Sequence, residues 1–159
     1  MVKSKILFVS TFFGGRARIA ELYSELYFEQ LGFENIEVFS SGFESGVLGG
    51  LPLKVMEEAG FNFSTDPLTT VFDRYANNEF YDYVITLCHE ASTEQCPMFT
   101  SSVDMVYGKD AQVLAWSVPD FLALQGLPYE KLEGAREIRG MIKANVSALL
   151  MQINSSLKL

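Results

Sequence analysis

Ser10 and Arg16 bracket the stretch STFFGGR, which follows the apolar run ILFV and precedes a segment with helical spacing. A loop between a strand and a helix can hold an anion. The helix N-terminus offers unpaired backbone N–H groups and the positive end of its dipole. Successive loop amides converge when the chain bends, and Gly14 and Gly15 supply flexibility for that bend. Arg16 could grip two oxyanion oxygens with its planar fork. On this reading Ser10, Thr11, Phe12, Phe13, Gly14, Gly15 and Arg16 form an oxyanion-binding loop. The alternative is an ordinary strand-to-helix turn with a surface arginine, and residue types alone leave both open.

The neighbouring residues carry paired readings as well. Ser10 is a hydrogen-bond donor to a bound anion, a nucleophile, or a plain strand-end serine. The nucleophile needs an adjacent general base, and His89 is the one histidine in the chain. Phe12 and Phe13 read first as packing under neighbouring loops, and second as a plug over the pocket or an apolar contact surface for a partner. Arg18 reads as a solvated residue of the first helical turn, or as extra positive charge at the mouth. Asp120 follows Pro119 in a turn. Cys88 and Cys96 read as one buried cysteine and one loop cysteine, in preference to a redox pair. Cys88, His89 and Cys96 lack a fourth ligand and fit no usual zinc spacing, so no metal is expected, and no cofactor. Tyr23, Tyr27, Tyr81 and Tyr83 read as packing.

These residues need elements to position them. Ile6–Ser10 is an apolar run typical of a strand covered on both faces. Ile19, Leu22, Tyr23, Leu26, Tyr27 and Leu31 are spaced for a helix that Gly32 would end. Ile36–Gly42 is a second strand, followed by the glycine-rich SGFESGVLGG. Pro52 marks a helix start and Gly60 its close. Tyr81–Cys88 and Ala111–Trp116 are the third and fourth strands. A long helix runs from about Tyr129 to Ile153, with Leu132, Ala135, Ile138, Ile142, Leu149 and Ile153 on one stripe. Strands alternating with helices predict an α/β fold: right-handed crossovers and a parallel sheet with helices on both faces. Ligands in such folds bind at the carboxyl ends of the strands, where Ser10, Cys88 and the SVPD stretch would meet.

The chain has 159 residues, which fits a single domain over 1–159, and a net charge of −8. A nucleic-acid partner is not expected, because a phosphate backbone needs a basic face. No apolar run reaches the ~20 residues of a membrane span, and the N-terminus lacks the features of a signal peptide. A soluble protein of the reducing cytoplasm is the expectation.

The order of these pieces resembles the low-molecular-weight protein tyrosine phosphatases and the related thioredoxin-coupled arsenate reductases. ILFVSTFFGGRARIAE overlays their strand, Cys-x5-Arg loop and helix. The resemblance continues through SSGFES, LPLKVMEEAGFNFS, YDYVITLCHEASTEQCPMF, WSVPDF and YEKLEGAREIRGMIKANV, with a lean toward the arsenate reductases. It implies a three-layer α/β/α fold on a four-stranded parallel sheet. It also implies that Arg16 grips the oxyanion, that Asp120 stands at the general acid, and that Cys88 and Cys96 fall near the arsenate reductases' redox relay.

The same overlay defines departures. Ser10 stands where the family has its nucleophilic cysteine. Phe12 and Phe13 stand where it usually has Gly-Asn, Gly15 where a further cysteine is common, and Ala17-Arg18 where it has Ser-Pro. Phe121 replaces the proline after the aspartate. A phenylalanine resists the left-handed backbone that the asparagine commonly adopts. The loop reads as naturally diverged. The expectation is a protein with little or no catalysis that holds phosphate, sulfate or arsenate. An active phosphatase or arsenate reductase, a protein-interaction module using Phe12 and Phe13, and a flavodoxin-like flavin binder are the alternatives.

Overall fold

The computed structural model describes residues 4–89 and 96–157. Its elements run β1 (Ser4–Ser10), α1 (Gly15–Leu31), β2 (Ile36–Gly42), α2 (Gly50–Glu58), α3 (Val71–Ala76), β3 (Tyr83–Cys88), α4 (Cys96–Tyr107), β4 (Gln112–Ser117) and α5 (Pro128–Leu157), with a short 3-10 turn at Phe121–Ala123. All strand pairings are parallel, in the order β2-β1-β3-β4. Ser10 faces Gly42 on one side and Leu87 on the other. The crossover from β1 to β2 and the later one from β2 to β3 run in opposite lateral directions, with β1 between the two strands they reach. The switch point of the sheet therefore lies at the end of β1, which is where Ser10 sits.

β1 has Ile6, Leu7, Phe8 and Val9 fully buried, because helices cover both faces of the sheet. The two-residue alternation of a strand divides these side chains between two cores. Ile6 and Phe8, with Ile85 and Leu87 of β3, face α1, α2 and α5. Leu7 and Val9, with Val84, face α3 and α4. The first core is the larger. Along α5 the stripe Ala135, Ile138, Ile142, Val146, Leu149 and Ile153 is buried against it, and each fully buried aliphatic side chain contributes about 2 kcal/mol.

The helix punctuation follows local chemistry. Gly32 adopts φ 70° and its N–H closes on the Phe28 carbonyl. α2 begins at Gly50, two residues before the expected Pro52, which stands in the first turn where no intrahelical N–H partner is lost. Its far end is tied to α5. Arg136 donates to both carboxylate oxygens of Glu58 at 2.7 and 3.0 Å, and Arg139 donates to the Val55 carbonyl at 2.7 Å.

Two helices lie where the sequence suggests none. α3 is one short turn-and-a-half, capped by the Thr70 hydroxyl accepting from the Asp73 N–H. α4 buries Cys96, Phe99, Val103 and Tyr107. Thr100, Ser101, Ser102 and Asp104 interrupt that stripe, and Pro97 near its start imitates a loop. Among the described residues, no helix is long and apolar enough to cross a membrane.

Candidate functional site

The loop after β1 keeps a tight, defined course. The Ser10 carbonyl accepts from the Phe43 N–H at 3.1 Å, and the Phe12 carbonyl accepts from the Glu44 N–H at 2.9 Å. Phe12 is left-handed at φ 56° and Gly14 at φ 87°. In the overlay the asparagine position is Phe13, which is not left-handed; the left-handed residue is Phe12, at the overlay's glycine position. Two strand-end contacts to the chain after β2 hold it there, at a cost of about 1–2 kcal/mol.

Glycine is required at two touching positions. A Cβ on Gly14 would lie 2.8 Å from the Gly42 nitrogen, and one on Gly42 would lie 2.5 Å from the Phe13 carbonyl carbon. Gly42 belongs to the site's frame, although its own sequence context marks only the end of a strand.

Ser10 is fully buried, and its Oγ accepts from the Ala17 N–H at 3.1 Å. The hydroxyl thus sits under the first turn of α1, in contact with an amide that would otherwise be unpaired. Arg16 is also buried, at 2% exposure. It donates from Nη1 to the Val118 carbonyl at 2.8 Å and from Nη2 to Thr11 Oγ1 at 2.6 Å. These acceptors tie the guanidinium to both the β1 loop and the turn after β4, as a buried charge requires. Arg18 pairs with Glu21 on the same helix, and Glu21 Oε1 accepts from the Ser40 hydroxyl at 3.0 Å. Arg18 therefore belongs to the wall of α1, and neither it nor His89 lines the cleft at the mouth of the loop.

That cleft has a volume of about 540 Å³. Thr11, Phe12, Phe13, Gly15 and Arg16 form its loop side, and Asp120 stands opposite, after Pro119. The fold thus brings Arg16, after the inner strand β1, and Asp120, after the edge strand β4, to one cavity. The expected packing of Phe12 and Phe13 under neighbouring loops needs correction. They are 41% and 40% exposed. The Phe13 ring lies against Gly46, where any Cβ would meet it at 2.5 Å, and both rings flank the opening.

The cysteines need correction too. Cys88 and Cys96 were expected as a buried cysteine and a loop cysteine, yet they are joined in a disulfide with a Cα–Cα distance of 5.9 Å. β3 delivers Cys88 to the sheet edge and the N-terminus of α4 delivers Cys96. The missed helix is what makes the pair. Both cysteines of the chain are consumed in it. Among the described residues, no cluster of three or more His, Cys, Asp or Glu side chains could hold a metal ion. Sequence reasoning also missed the far wall of the cleft, formed by Val47, Leu48, Leu51 and Pro52 with Phe121 and Leu122. The signal was present in the glycine-rich stretch before Pro52, whose bends return the chain to the β1 loop.

Comparison with known proteins agrees with this architecture. The family profile described as low molecular weight phosphotyrosine protein phosphatase matches residues 5–159. An arsenate reductase of Shouchella clausii (strain KSM-K16) is 26% identical over 146 residues, covering 92% of this chain and 94% of the relative. A solved arsenate reductase in the phosphate binding state is 25% identical with a TM-score of 0.64, covering 94% of this chain and 98% of that one. A low molecular weight protein tyrosine phosphatase from T. tengcongensis, 18% identical, shares the fold with a TM-score of 0.69 over 94% of this chain and 99% of its own. With its profile matched over almost the whole length, and with the loop and sheet order described above, the chain belongs to the low molecular weight phosphotyrosine protein phosphatase family, within reach of the arsenate reductases.

Proposed function

We propose that this chain is a catalytically silent or strongly impaired member of its family that binds phosphate, or a similar oxyanion such as sulfate or arsenate, at the Ser10–Arg16 loop. The observation that carries this reading is the placement of Arg16. It stands buried at the start of α1 and is oriented by Thr11 and the Val118 carbonyl beside an open cleft. A helix N-terminus and an oriented guanidinium are complementary to a compact anion. A relative's phosphate-binding state supports the same ligand class.

Turnover is a separate matter. The family's thiolate is replaced by Ser10, whose Oγ is buried and engaged by Ala17. A serine hydroxyl is far less acidic than a thiol near a helix N-terminus, and an activated serine needs an adjacent base. Arsenate reduction further requires a thiol that can pass electrons by forming a disulfide. Serine cannot, and Cys88 and Cys96 have no nucleophilic cysteine to serve. The cytoplasm is the compartment included in this proposal.

Isothermal titration with phosphate, sulfate and arsenate tests the reading. Saturable heat with the wild type and its loss in Arg16→Ala are expected. Absence of binding by the wild type rejects it. An aryl phosphate assay at background level is expected in parallel, and turnover above background would restore the active-enzyme reading. A second reading, a protein-interaction module, is favoured by one observation: Phe12 and Phe13 are half exposed at the cleft opening.

A further inference from the structure

The two outer strands of the sheet have different surroundings. At β2 the Asn35 carbonyl accepts from the Ser4 N–H, and the Phe43 N–H donates to the Ser10 carbonyl. Odd-numbered residues thus turn their backbone toward β1, and even-numbered ones turn it outward. That outer side is covered. Arg74 Nη2 donates to the outward Ser40 carbonyl at 3.2 Å, and its guanidinium lies 5.4 Å from the centre of the Phe39 ring.

At β4 the Gln112 N–H donates to the Asp82 carbonyl at 2.9 Å, and the Val118 N–H donates to the Cys88 carbonyl at 3.2 Å. The same alternation leaves Val113, Ala115 and Ser117 with N–H and C=O on the outer side. Among the described residues, no strand pairs with that side. These three residues include no charge and no proline, the usual devices that keep a free edge apart from another strand. Beside the edge runs a groove of about 530 Å³, lined by Val113 and Ala115 and by the flank Pro97, Thr100, Ser101 and Asp104 of α4.

We propose that β4 is the face of a two-fold dimer, in which β4 of a second copy adds antiparallel and doubles the four-stranded sheet. The outward groups are self-complementary about Ala115. Ala115 faces Ala115 of the second copy, and Val113 faces its Ser117, so every outward donor meets an acceptor.

Charge supports the same occupant. Cys96 is bonded to Cys88 at the end of β3, and the Tyr107 ring meets Tyr81 before that strand starts. α4 therefore runs against the strand direction. The two-fold sets the flanks of two α4 helices side by side and head to tail, with the small residues Thr100 and Ser101 at the centre. Asp104, the one ionisable side chain lining the groove, then points to the N-terminal end of the other helix, where the dipole is positive. The edge has only six residues, so the dimer is weak and forms with concentration. It lies apart from the anion loop, and the two readings stand or fall separately.

Sedimentation equilibrium across micromolar to millimolar loading should show the wild type passing from one chain to twice that mass. Ala115→Pro should weaken association about tenfold or more, since each copy loses an outward N–H. It removes no bond to β3, and proline is tolerated on a free edge. Ser101→Glu, at an exposed position of α4, should weaken it similarly by bringing two carboxylates together at the two-fold. Far-UV circular dichroism of both variants should match the wild type. Ala115→Cys reads the register. Facing Cα atoms in such a pair are about 5.5 Å apart, within disulfide reach, so oxidation with copper phenanthroline should give a covalent dimer. Val113→Cys alone should not, and Val113→Cys combined with Ser117→Cys should.

A wild type that remains a single chain throughout would overturn the proposal. So would association unchanged by Ala115→Pro and Ser101→Glu, or cross-linking through Val113→Cys alone. A dimer dissociated by Leu122→Asp and not by Ala115→Pro would move the face to the cleft rim. Protection of the β4 amides from hydrogen exchange only by an added alternating valine–lysine peptide would assign the edge to a foreign strand.

Discussion

The loop after β1 and the N-terminus of α4 lie against the ends of adjacent strands, β1 and β3, and they are fixed by different means. The β1 loop is held largely by its backbone, with Ser10 and Thr11 accepting from the Ala17 N–H and the Arg16 guanidinium. Gly14 and Gly42 approach to contact, Phe43 and Glu44 donate to the Ser10 and Phe12 carbonyls, and Phe12 is driven into a left-handed conformation. The β3 exit is held by a covalent bond between Cys88 and Cys96. The first has a defined shape with a serine hydroxyl at its start. The second has two thiol-bearing positions tied to each other. Shape and side-chain chemistry are thus set separately, because different parts of the chain encode them: glycines and strand ends give shape, single side chains give the chemistry.

Breaking the backbone side of this contrast should have the largest effect. Gly42→Ala forces a Cβ to within 2.5 Å of the Phe13 carbonyl carbon. We expect a loss of about 3 kcal/mol in urea unfolding, together with loss of phosphate binding. A change below about 0.5 kcal/mol, the scale of an ordinary surface substitution, would show that the contact does not set the loop.

Breaking the covalent side comes next. Replacing Cys88 and Cys96 by serine opens a short loop, at a cost of about 2 kcal/mol in the chain-entropy account. Phosphate affinity should fall less than in Gly42→Ala, since the contact between Cys88 and the Val118 segment is a backbone bond, Val118 N–H to the Cys88 carbonyl at 3.2 Å, that serine keeps. An equal loss of affinity would merge the two regions into one unit.

Phe12→Asn sharpens the comparison in the opposite direction. Asparagine tolerates the left-handed region, so the variant should gain about 1 kcal/mol, seen as a raised thermal midpoint. A fall would mean that the half-exposed ring contributes more than its backbone costs.

The smallest effect lies away from both loops, in the anchor of α2 that holds the cleft wall. Hydrogen bonds from Arg136, aided by its charge and by Arg139, lower Glu58 from 4.5 to about 2. Its folded value is depressed. The associated stabilisation is therefore complete above pH 4.5 and is lost as pH falls from there through about 2. Acid unfolding of Glu58→Gln should lack that part of the wild type's pH dependence. Identical curves would show that the exposed network adds nothing.

Much of the fold was legible because its main signals are local. β1 is a buried strand by composition, α5 is a long amphipathic stripe, and Gly32 and Gly60 end helices where they stand. Of the site, the Ser10–Arg16 loop could be read from the strand, the glycines and the arginine in order. α4 could not, because serines and a proline mask a buried face that repeats every fourth residue. Nor could the Cys88–Cys96 bond, which depends on α4 starting where it does. The cleft walls were hidden because Leu48 and Phe121 are far apart in sequence, and each alone is an ordinary apolar residue.

By itself the sequence determined the order of strands and helices, the family, and the absence of a thiol at position 10, because residue identity and periodicity are properties of the chain. Tertiary structure alone decided that Gly42 supports the loop, that Phe12 is left-handed and its ring half exposed, that Arg16 is oriented by Val118, and that Val47 and Leu122 line one cleft. Each of these is a distance between segments that no local pattern contains, set only when the sheet closes and the helices pack against it.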